Sequence, residues 1–493
     1  MHKTSKLNEF LRVNKTKILP VIAALLILFF IANTRLPDFE ILHGRGHVLP
    51  VWSVLPFIGV LLSIAFIPIV NHHFWEKHRL LITIMWALVF IVPFAIFIGS
   101  AEAVFVFLEV ILLEYLPFIM LLWGLYTVSG GIVIKGGFAG TPKCNLIILS
   151  TGCAMASWVG TTGASMLFIR LLLNANKWRK EKVHSVMFFI FLVSNIGGCL
   201  TPIGDPPLFL GFLKGIPFFW PMKLLPMMLF NAVILLTLHF IIDTKLYNKE
   251  IAAGRKQEAK DNKLPLKIEG SHNFIFLAMI LGSVILCGIL SRNPMFLNES
   301  GALKGIHVYA GLALPYPSVI EIVIILLAGI LSLKTTKKEL YEENRFSWGP
   351  IKEVAELFFG IFISMSPALA ILNTRGAELG LTEPWQFFWV TGSMSLFLDN
   401  APTFMVFFSL AGSLGATTGV VTTLGTVAEN ILVAISIGTI FFGAATYIAN
   451  APNIMVRSIA IEDGVKMPSF FGYMGRALII LIPLFLLDMV VFF

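Results

Sequence analysis

The chain alternates between long apolar runs and short polar connectors over most of its length. Many of the runs contain about 20 residues, the length that an α-helix needs to cross the hydrocarbon core of a bilayer. This pattern predicts an all-α polytopic membrane protein with about 11 transmembrane helices. The predicted spans cover residues 18–33, 51–70, 80–99, 104–133, 184–213, 224–243, 274–291, 317–333, 351–373, 420–456 and 471–492.

Two further apolar stretches, 144–173 and 386–413, have small and polar residues at their centres. We expect each of them to be a re-entrant hairpin, which enters and leaves the membrane on the same side. The spans 184–213 and 420–456 are interrupted by Gly, Pro, Asn and Thr, so we predict that they are broken helices. Non-helical backbone at membrane depth leaves polar groups unpaired, and these four places are therefore the candidate functional sites.

The distribution of basic residues indicates an orientation. With two re-entrant hairpins, the N-terminus and the connectors of one side, together with Arg170 and Arg476, contain 29 of the 36 Lys and Arg residues. Basic residues favour the cytoplasmic side, so we predict a multi-pass inner-membrane protein with a cytoplasmic N-terminus. The net charge of +8 is explained by topology in this way, and nucleic acid is not expected as a partner.

The predicted organisation has four parts. Residues 1–50 contain a basic segment and the first transmembrane helix, for which a cleaved signal peptide is the alternative. Residues 51–243 and 274–493 form two repeats. The polar residues 244–273 form a cytoplasmic linker between them.

Short motifs occur in the same order in both halves of the chain. The segment "SWVGTTGASM" at 157–166 aligns without gaps on "SLFLDNAPTF" at 395–404, and "TPIGDPPL" at 201–208 aligns on "TYIANAPN" at 446–453. The first set is expected to enter the membrane from the inside and the second from the outside. The two halves therefore form an inverted repeat, which is typical of secondary transporters.

Two acids are central among the candidate site residues, because a charge at bilayer depth costs about 2.5 to 3.5 kcal/mol on insertion scales. Asp205 lies between Gly204 and two prolines, and Asp399 lies at the second hairpin tip. We predict that both carboxylates bind sodium or a proton. For each acid the alternative is a helix N-cap, a common role for Asp at a helix start. The neutral oxygens expected around them belong to Asn195, Thr201, Thr161, Thr162, Ser165, Asn400, Thr446, Asn450 and Asn453.

The motifs "SWVGTTGASMLFIR", "SNIGGCLTPIGDPP", "LDNAPTF" and "YIANAPN" resemble those of the ion transporter superfamily. That superfamily includes divalent-anion/sodium symporters, arsenite permeases, citrate transporters and NhaD-type sodium/proton antiporters. The resemblance extends from about Leu55 to Phe493. It implies paired hairpins, broken helices and a membrane homodimer.

The hairpin tips depart from the sodium/carboxylate symporters, which have Ser-Asn-Thr at both tips. This chain has "GTT" at 160–162 and "DNA" at 399–401. A carboxylate at a tip repels an anionic substrate unless a cation lies between them. The motifs are similar to the NhaD-type pattern, for which the resemblance implies an acidic cation site, and the citrate transporter (CitMHS-like) family is the alternative.

We therefore expect a secondary active transporter that exchanges sodium for protons and binds no cofactor. The alternative is cation-coupled uptake of citrate or a dicarboxylate, with carboxylate oxygens bound by Thr161, Thr162, Ser165 and Asn400. An enzyme is not expected, because the sequence has no HExxH or GxSxG motif. The partners expected are the lipid bilayer and a small inorganic cation or carboxylate.

Overall fold

The computed structural model describes residues 49–136, 139–255, 267–299 and 301–493. Among these residues, 8 helices are long and apolar enough to cross a membrane. The prediction of an all-α polytopic membrane protein is confirmed, and the predicted span 18–33 lies outside the described residues. The 8 candidate spans are Val51–Pro68, His73–Phe97, Ser100–Gly130, Trp220–Ala252, Asn273–Leu290, Tyr316–Thr335, Gly349–Leu379 and Phe470–Phe492.

The first half of the chain has nine α-helices and one π-helix in its described part. They are α1 (Leu55–Val70), α2 (His72–Phe97), α3 (Ser100–Glu109), the π-helix (Val110–Tyr115), α4 (Leu116–Gly130), α5 (Pro142–Val159), α6 (Thr161–Ala175), α7 (Val183–Leu192), α8 (Pro206–Leu213) and α9 (Leu225–Ala252). A short strand, β1 (Val133–Lys135), follows α4. We call the α5–α6 pair hairpin 1, and α8 is the second arm of a helix that is broken after α7.

The second half repeats much of this order. Its helices are α10 (Asn273–Leu290), α11 (Tyr316–Thr335), α12 (Lys338–Glu343), α13 (Gly349–Arg375), α14 (Pro384–Ser395), α15 (Asn400–Ser413), α16 (Glu429–Gly443), α17 (Ala451–Glu462) and α18 (Phe470–Phe492). Its strands, after β2 (Lys267–Glu269), are β3 (Gly305–Tyr309), β4 (Leu312–Pro315), β5 (Val420–Thr422) and β6 (Gly425–Val427). We call the α14–α15 pair hairpin 2, and α17 is the second arm of the helix that is broken after α16.

The helices pack in two groups. In the first group, which we call the framework, α4 packs against α10 and α11, and α13 packs against α2. The second group, the core, contains both hairpins and both broken helices. The groups meet where α4 contacts α6 and where α13 contacts α15. Apolar rings fill much of this boundary, as at Phe118, whose ring centroid lies 4.7 Å from that of Phe358 and 6.5 Å from that of Phe209.

Within the core, the second arm of each hairpin contacts the broken helix of the other half. Helix α6 packs on α17, and α15 packs on α8. The fold thereby brings the ends of four helices, two from each half of the chain, to one region.

Three short antiparallel sheets lie in connectors. Strand β1 pairs with β2, with Val133 opposite Glu269, so the segment after α4 is joined to the polar connector between the halves. Strands β3 and β4 pair with Ile306 opposite Leu314, and β5 and β6 pair with Val421 opposite Thr426.

Two predicted boundaries are wrong. The predicted helix 420–456 begins instead with the β5–β6 hairpin, because Val420 and Val421 favour strand and Gly425, with a φ of 117°, permits the tight turn. The predicted linker 244–273 is not a plain loop either. Helix α9 continues to Ala252, and β2 lies in the same segment.

Candidate functional site

Hairpin 1 turns in a single residue. Helix α5 ends at Val159, and Gly160 has a φ of 78°, a conformation that residues with a Cβ rarely adopt. Helix α6 then begins at Thr161, whose backbone N–H donates to Gly204 O over 2.8 Å. The tip of hairpin 1 is thus bonded directly to the broken segment between α7 and α8.

That broken segment is held against the hairpin by a second contact. Thr201 Oγ1 donates to the carbonyl oxygen of Ser157, one turn before the tip. Helix α8 starts with Pro206, which needs no partner for a backbone N–H at the first helical position. We call the hairpin 1 tip and this broken segment together the first junction.

The second junction is built in the same way from hairpin 2 and the break between α16 and α17. The backbone N–H of Asn400 donates to Ala449 O over 2.9 Å. Thr446 Oγ1 donates to Leu396 O over 2.8 Å. Since both contacts have counterparts in the first junction, the two junctions have matching backbone connections.

By these backbone contacts Thr161 corresponds to Asn400. The gapless sequence alignment instead pairs Thr161 with Asp399, so the two correspondences differ by one residue. The reason lies in the turns. Hairpin 1 has one residue between its helices, whereas hairpin 2 has the longer turn 396–399. In the broken segments the alignment is consistent with the contacts, so Asp205 corresponds to Asn450.

Asp205 lies where the two junctions meet. Its Oδ1 accepts hydrogen bonds from Thr161 Oγ1 at 3.1 Å and from Asn450 Nδ2 at 3.0 Å. The amide of Asn400 lies 3.4 Å from Oδ2. The residue is only 1% exposed, and among the described residues no cationic side chain is bonded to the carboxylate. One buried acid is therefore surrounded by neutral donors from both halves.

The amide orientation of Asn400 affects what faces Asp205. With the amide turned over, Nδ2 donates to Thr439 O at 3.2 Å, Ala449 O at 2.9 Å and Ser395 Oγ at 2.7 Å. In this orientation the two N–H groups have three acceptors within 3.2 Å, whereas in the other orientation they have the single 3.4 Å contact to Asp205. The amide oxygen of Asn400 then faces the carboxylate, and two facing acceptors suit an intervening proton or cation.

Asp399 has a different position from Asp205. It is the N-cap of α15, and its Oδ1 accepts from the backbone N–H of Ala401 at 3.0 Å. This is the capping alternative for Asp399, and the residue is partly exposed. The prediction that its carboxylate binds a cation stays a prediction.

Two asparagines support the site from behind. Asn195 Oδ1 accepts from Asn450 Nδ2 at 3.2 Å, and Asn453 Oδ1 accepts from Asn195 Nδ2 at 2.8 Å. Asn453 Nδ2 donates to the carbonyls of Gly443 and Thr446, which the break after α16 leaves free. The side-chain oxygens of Asn195 and Asn453 are therefore already used, and both residues position Asn450.

The remaining candidates lie around this centre. Thr201 and Thr446 fasten the broken segments to the hairpins, as described above. Ser165 Oγ lies 2.9 Å from Ser194 Oγ, one turn beyond the tip. Thr162 is partly exposed beside Thr161. Sequence reasoning missed Ser194, whose carbonyl accepts from Asn450 at 3.1 Å; its position directly before Asn195 was the available signal.

A second buried polar cluster, also missed from the sequence, lies between hairpin 1, α7 and α9. Asp243 is in contact with Arg179 Nη1 at 2.5 Å and His184 Nε2 at 2.8 Å. His184, His239 and Asp243 have potential ligand atoms within 4.8 Å of one another. The buried guanidinium of Arg179 already neutralises the carboxylate, which disfavours a metal ion there. The cluster anchors hairpin 1 to its neighbours.

The comparisons with known proteins place this geometry in a family. The family model CitMHS_2, described as "Putative citrate transport", matches residues 46–493. A search of curated proteins found no match. The matched range includes both hairpins, both broken helices and every residue that contacts Asp205. The chain belongs to this family of membrane transporters.

Proposed function

We propose that the protein is a cation-coupled transporter of citrate or a related carboxylate, and that Asp205 holds the coupling proton or sodium ion. The observation that carries the proposal is the position of Asp205, a buried acid with neutral donors from both halves. The description of the family supports the carboxylate as substrate. Inverted repeats that meet at a central polar site support transport by alternating access.

Coupling follows from the limited number of donors at the site. While Asp205 is charged, Thr161 Oγ1 and Asn450 Nδ2 donate to it. A proton or sodium ion on the carboxylate removes much of its demand for these donors, which are then free to bind an anionic oxygen of the substrate. The cation also removes the repulsion between Asp205 and the substrate. Each ligand therefore raises the affinity for the other, as thermodynamic linkage requires.

The other polar residues have supporting roles in this proposal. Thr162 and Ser165 lie on the first turns of α6 and are further donors for a carboxylate. Asn195 and Asn453 hold Asn450 in place. The orientation with a cytoplasmic N-terminus, the inner membrane as location and a homodimeric assembly complete the proposal.

Sodium/proton exchange is the second candidate function. It is favoured by the Asn400 amide oxygen that faces Asp205 in the better-satisfied orientation, because two oxygen ligands suit a bare cation. Competition of sodium and protons for Asp205 would suffice to couple their opposite fluxes. No organic acid is needed in this scheme.

Transport in proteoliposomes separates the two candidates. Labelled citrate uptake is recorded under an imposed inward sodium gradient, under an imposed inward proton gradient and with neither. In parallel, internal pH is recorded after sodium addition without citrate. Gradient-driven citrate accumulation is the expected result. Sodium-driven alkalinisation without any citrate uptake would instead establish the exchange reaction.

Asp205→Asn tests the assigned residue in the same assay. The substitution keeps the size of the side chain but removes its charge, so cation-driven citrate uptake should fall by about 100-fold or more. Uptake that still responds fully to both gradients in this variant would contradict the role of Asp205.

A further inference from the structure

The two second arms, α8 and α17, are equivalent in the repeat but differ in exposure. Residues Pro207–Gly211 of α8 are buried. On α17, by contrast, Ala451, Ile454 and Ser458 are exposed. These three positions follow helical spacing and form one stripe that begins directly after Asn450. The exposed side of α17, which we call the approach, therefore ends at Asn450, whose amide contacts Asp205.

Arg457 stands beside this approach. Seven residues separate it from Asn450, which is about 10 Å along a helix axis and almost two full turns, so both residues lie on nearly the same face. Helical side chains lean toward the helix N-terminus. The contact of Arg457 with Tyr447 follows this rule, since the guanidinium carbon lies 5.0 Å from the ring centroid of a residue that precedes the helix.

The guanidinium of Arg457 lies against an aromatic ring and has no anionic partner among the described residues. Tyr447 is itself buried, and its ring stacks on that of Tyr473 at a centroid distance of 4.1 Å. Arg457 Nε is buried and has no hydrogen-bond partner within the part of the chain that the structure describes. No described carboxylate lies within 4.0 Å of the Arg457 guanidinium, since the described ion pairs all involve other basic residues.

Two other basic residues of the described chain have anionic partners. Lys214, at the end of α8, is 2.5 Å from Glu114. Arg345, near the far end of α17, forms an exposed ion pair with Glu462 at 3.1 Å. A buried donor on an arginine is costly when it has no acceptor, so the Nε of Arg457, which has none among the described residues, is suited to an anionic ligand.

We propose that Arg457 binds a carboxylate of the transported substrate on the approach along α17. This inference rests on the proposed carboxylate transport and names the residue that supplies its positive charge. Asp205 and its neutral donors carry no such charge, whereas a guanidinium offers a planar pair of donors that matches a carboxylate.

Citrate uptake by proteoliposomes at several citrate concentrations tests the assignment. We expect Arg457→Gln to raise the KM for citrate by about 10- to 100-fold, with a much smaller change in the maximal rate. Arg457→Lys keeps the charge but loses the bidentate geometry, so its KM should lie between those of the wild type and Arg457→Gln. Arg345→Gln is the matched control, because this exposed arginine lies near the same helix end, and its KM should stay at the wild-type value.

A measurement of citrate binding distinguishes a substrate-binding role of Arg457 from a purely structural one. Citrate should raise the thermal unfolding temperature of the detergent-purified wild type and of R345Q, but not that of R457Q. A role only in packing on Tyr447 would lower the unfolding temperature of R457Q without citrate and leave its KM unchanged, which would overturn the proposal. If R457Q does not fold, an unchanged KM in R457K overturns it instead.

The wild type distinguishes this inference from the proposed function. Citrate uptake by the wild type with an unchanged KM in R457Q refutes the role of Arg457 alone. Absence of citrate uptake and of citrate-dependent stabilisation in the wild type refutes both proposals together.

Discussion

The first and second junctions share a backbone arrangement, but their side chains have different charges. At the broken segments, the first junction has Asp205 where the second has Asn450. At the hairpin tips, Thr161 corresponds to Asn400, and the acid of the second tip, Asp399, lies one residue earlier and caps α15. Both acids directly precede a helix, Asp205 before α8 and Asp399 before α15, but only the carboxylate of Asp399 accepts a hydrogen bond from its own helix. The comparison teaches that the partners of the carboxylate, and not its place before a helix, distinguish a candidate ligand from a cap.

We expect the largest effect on stability from a substitution of Gly204, a glycine that only the first junction requires. A Cβ on Gly204 would lie 2.0 Å from Gly198 O, which is backbone and has little freedom to move, whereas the equivalent position in the second junction is already alanine, Ala449. Gly204→Ala should lower the free energy of unfolding by about 3 kcal/mol or more. Ala449→Gly, the matched change, should cost about 1 kcal/mol or less. Thermal unfolding in detergent measures both, and equal shifts would show that the junctions are not differently packed.

Moving the acid from one junction to the other tests their equivalence directly. Asp205 and Asn450 contact each other, so the double variant Asp205→Asn with Asn450→Asp keeps one carboxylate and one amide in this contacting pair. We expect it to recover part of the uptake that Asp205→Asn loses, at a rate about tenfold below the wild type, because the acid at position 450 no longer faces Thr161 and instead faces the carbonyl of Ser194. Gradient-driven citrate uptake is the measurement. A double variant no better than the single one would mean that only the first junction accepts the charge.

The capping role of Asp399 predicts a smaller effect of its substitution on the free energy of unfolding. Asp399→Ala removes the acceptor for Ala401 N–H and should lower the free energy of unfolding by about 1 kcal/mol. Asp399→Asn retains a good cap, so its unfolding temperature and citrate uptake should stay close to those of the wild type. A loss of coupled uptake in Asp399→Asn as large as that in Asp205→Asn would restore the prediction of an acidic pair.

The smallest effect is expected outside the membrane, at the β1–β2 pair. Hydrogen bonds from Lys135 and Lys267 lower the pKa of Glu269 from 4.5 to about 2. Because the folded-state pKa is lowered, this contribution to stability is present above about pH 4.5 and is lost as the pH falls toward 2. Glu269→Gln should therefore flatten the acid side of the unfolding-temperature profile slightly. Uptake between about pH 5 and 8 should not change, since Glu269 stays ionised there. A changed uptake profile would link this connector to transport.

Much of the fold was predictable because apolar runs of membrane length have few alternatives to helices. The positions of the breaks were predictable as well, since Gly204 weakens a helix and Pro206 starts a helix more readily than it continues one. The start of α16 was not. Val420 and Val421 read as part of an apolar span, and only the pairing with β6 decides that they form a strand. The length of α9 beyond residue 243 was also missed, because polar residues outside the membrane are equally compatible with helix and loop.

For the site, the sequence by itself determined which residue types stand at the interruptions. Asp205, Thr161, Asn400 and Asn450 are identifiable there because polar groups at membrane depth need partners. Only the tertiary structure decided which of them meet. The hydrogen bonds that join the two junctions connect residues about half the chain apart, and their register depends on turn lengths that the gapless alignment does not contain. The same holds for Arg457, because only the packing of the helices shows that its buried Nε has no acceptor in the part of the chain that the structure describes.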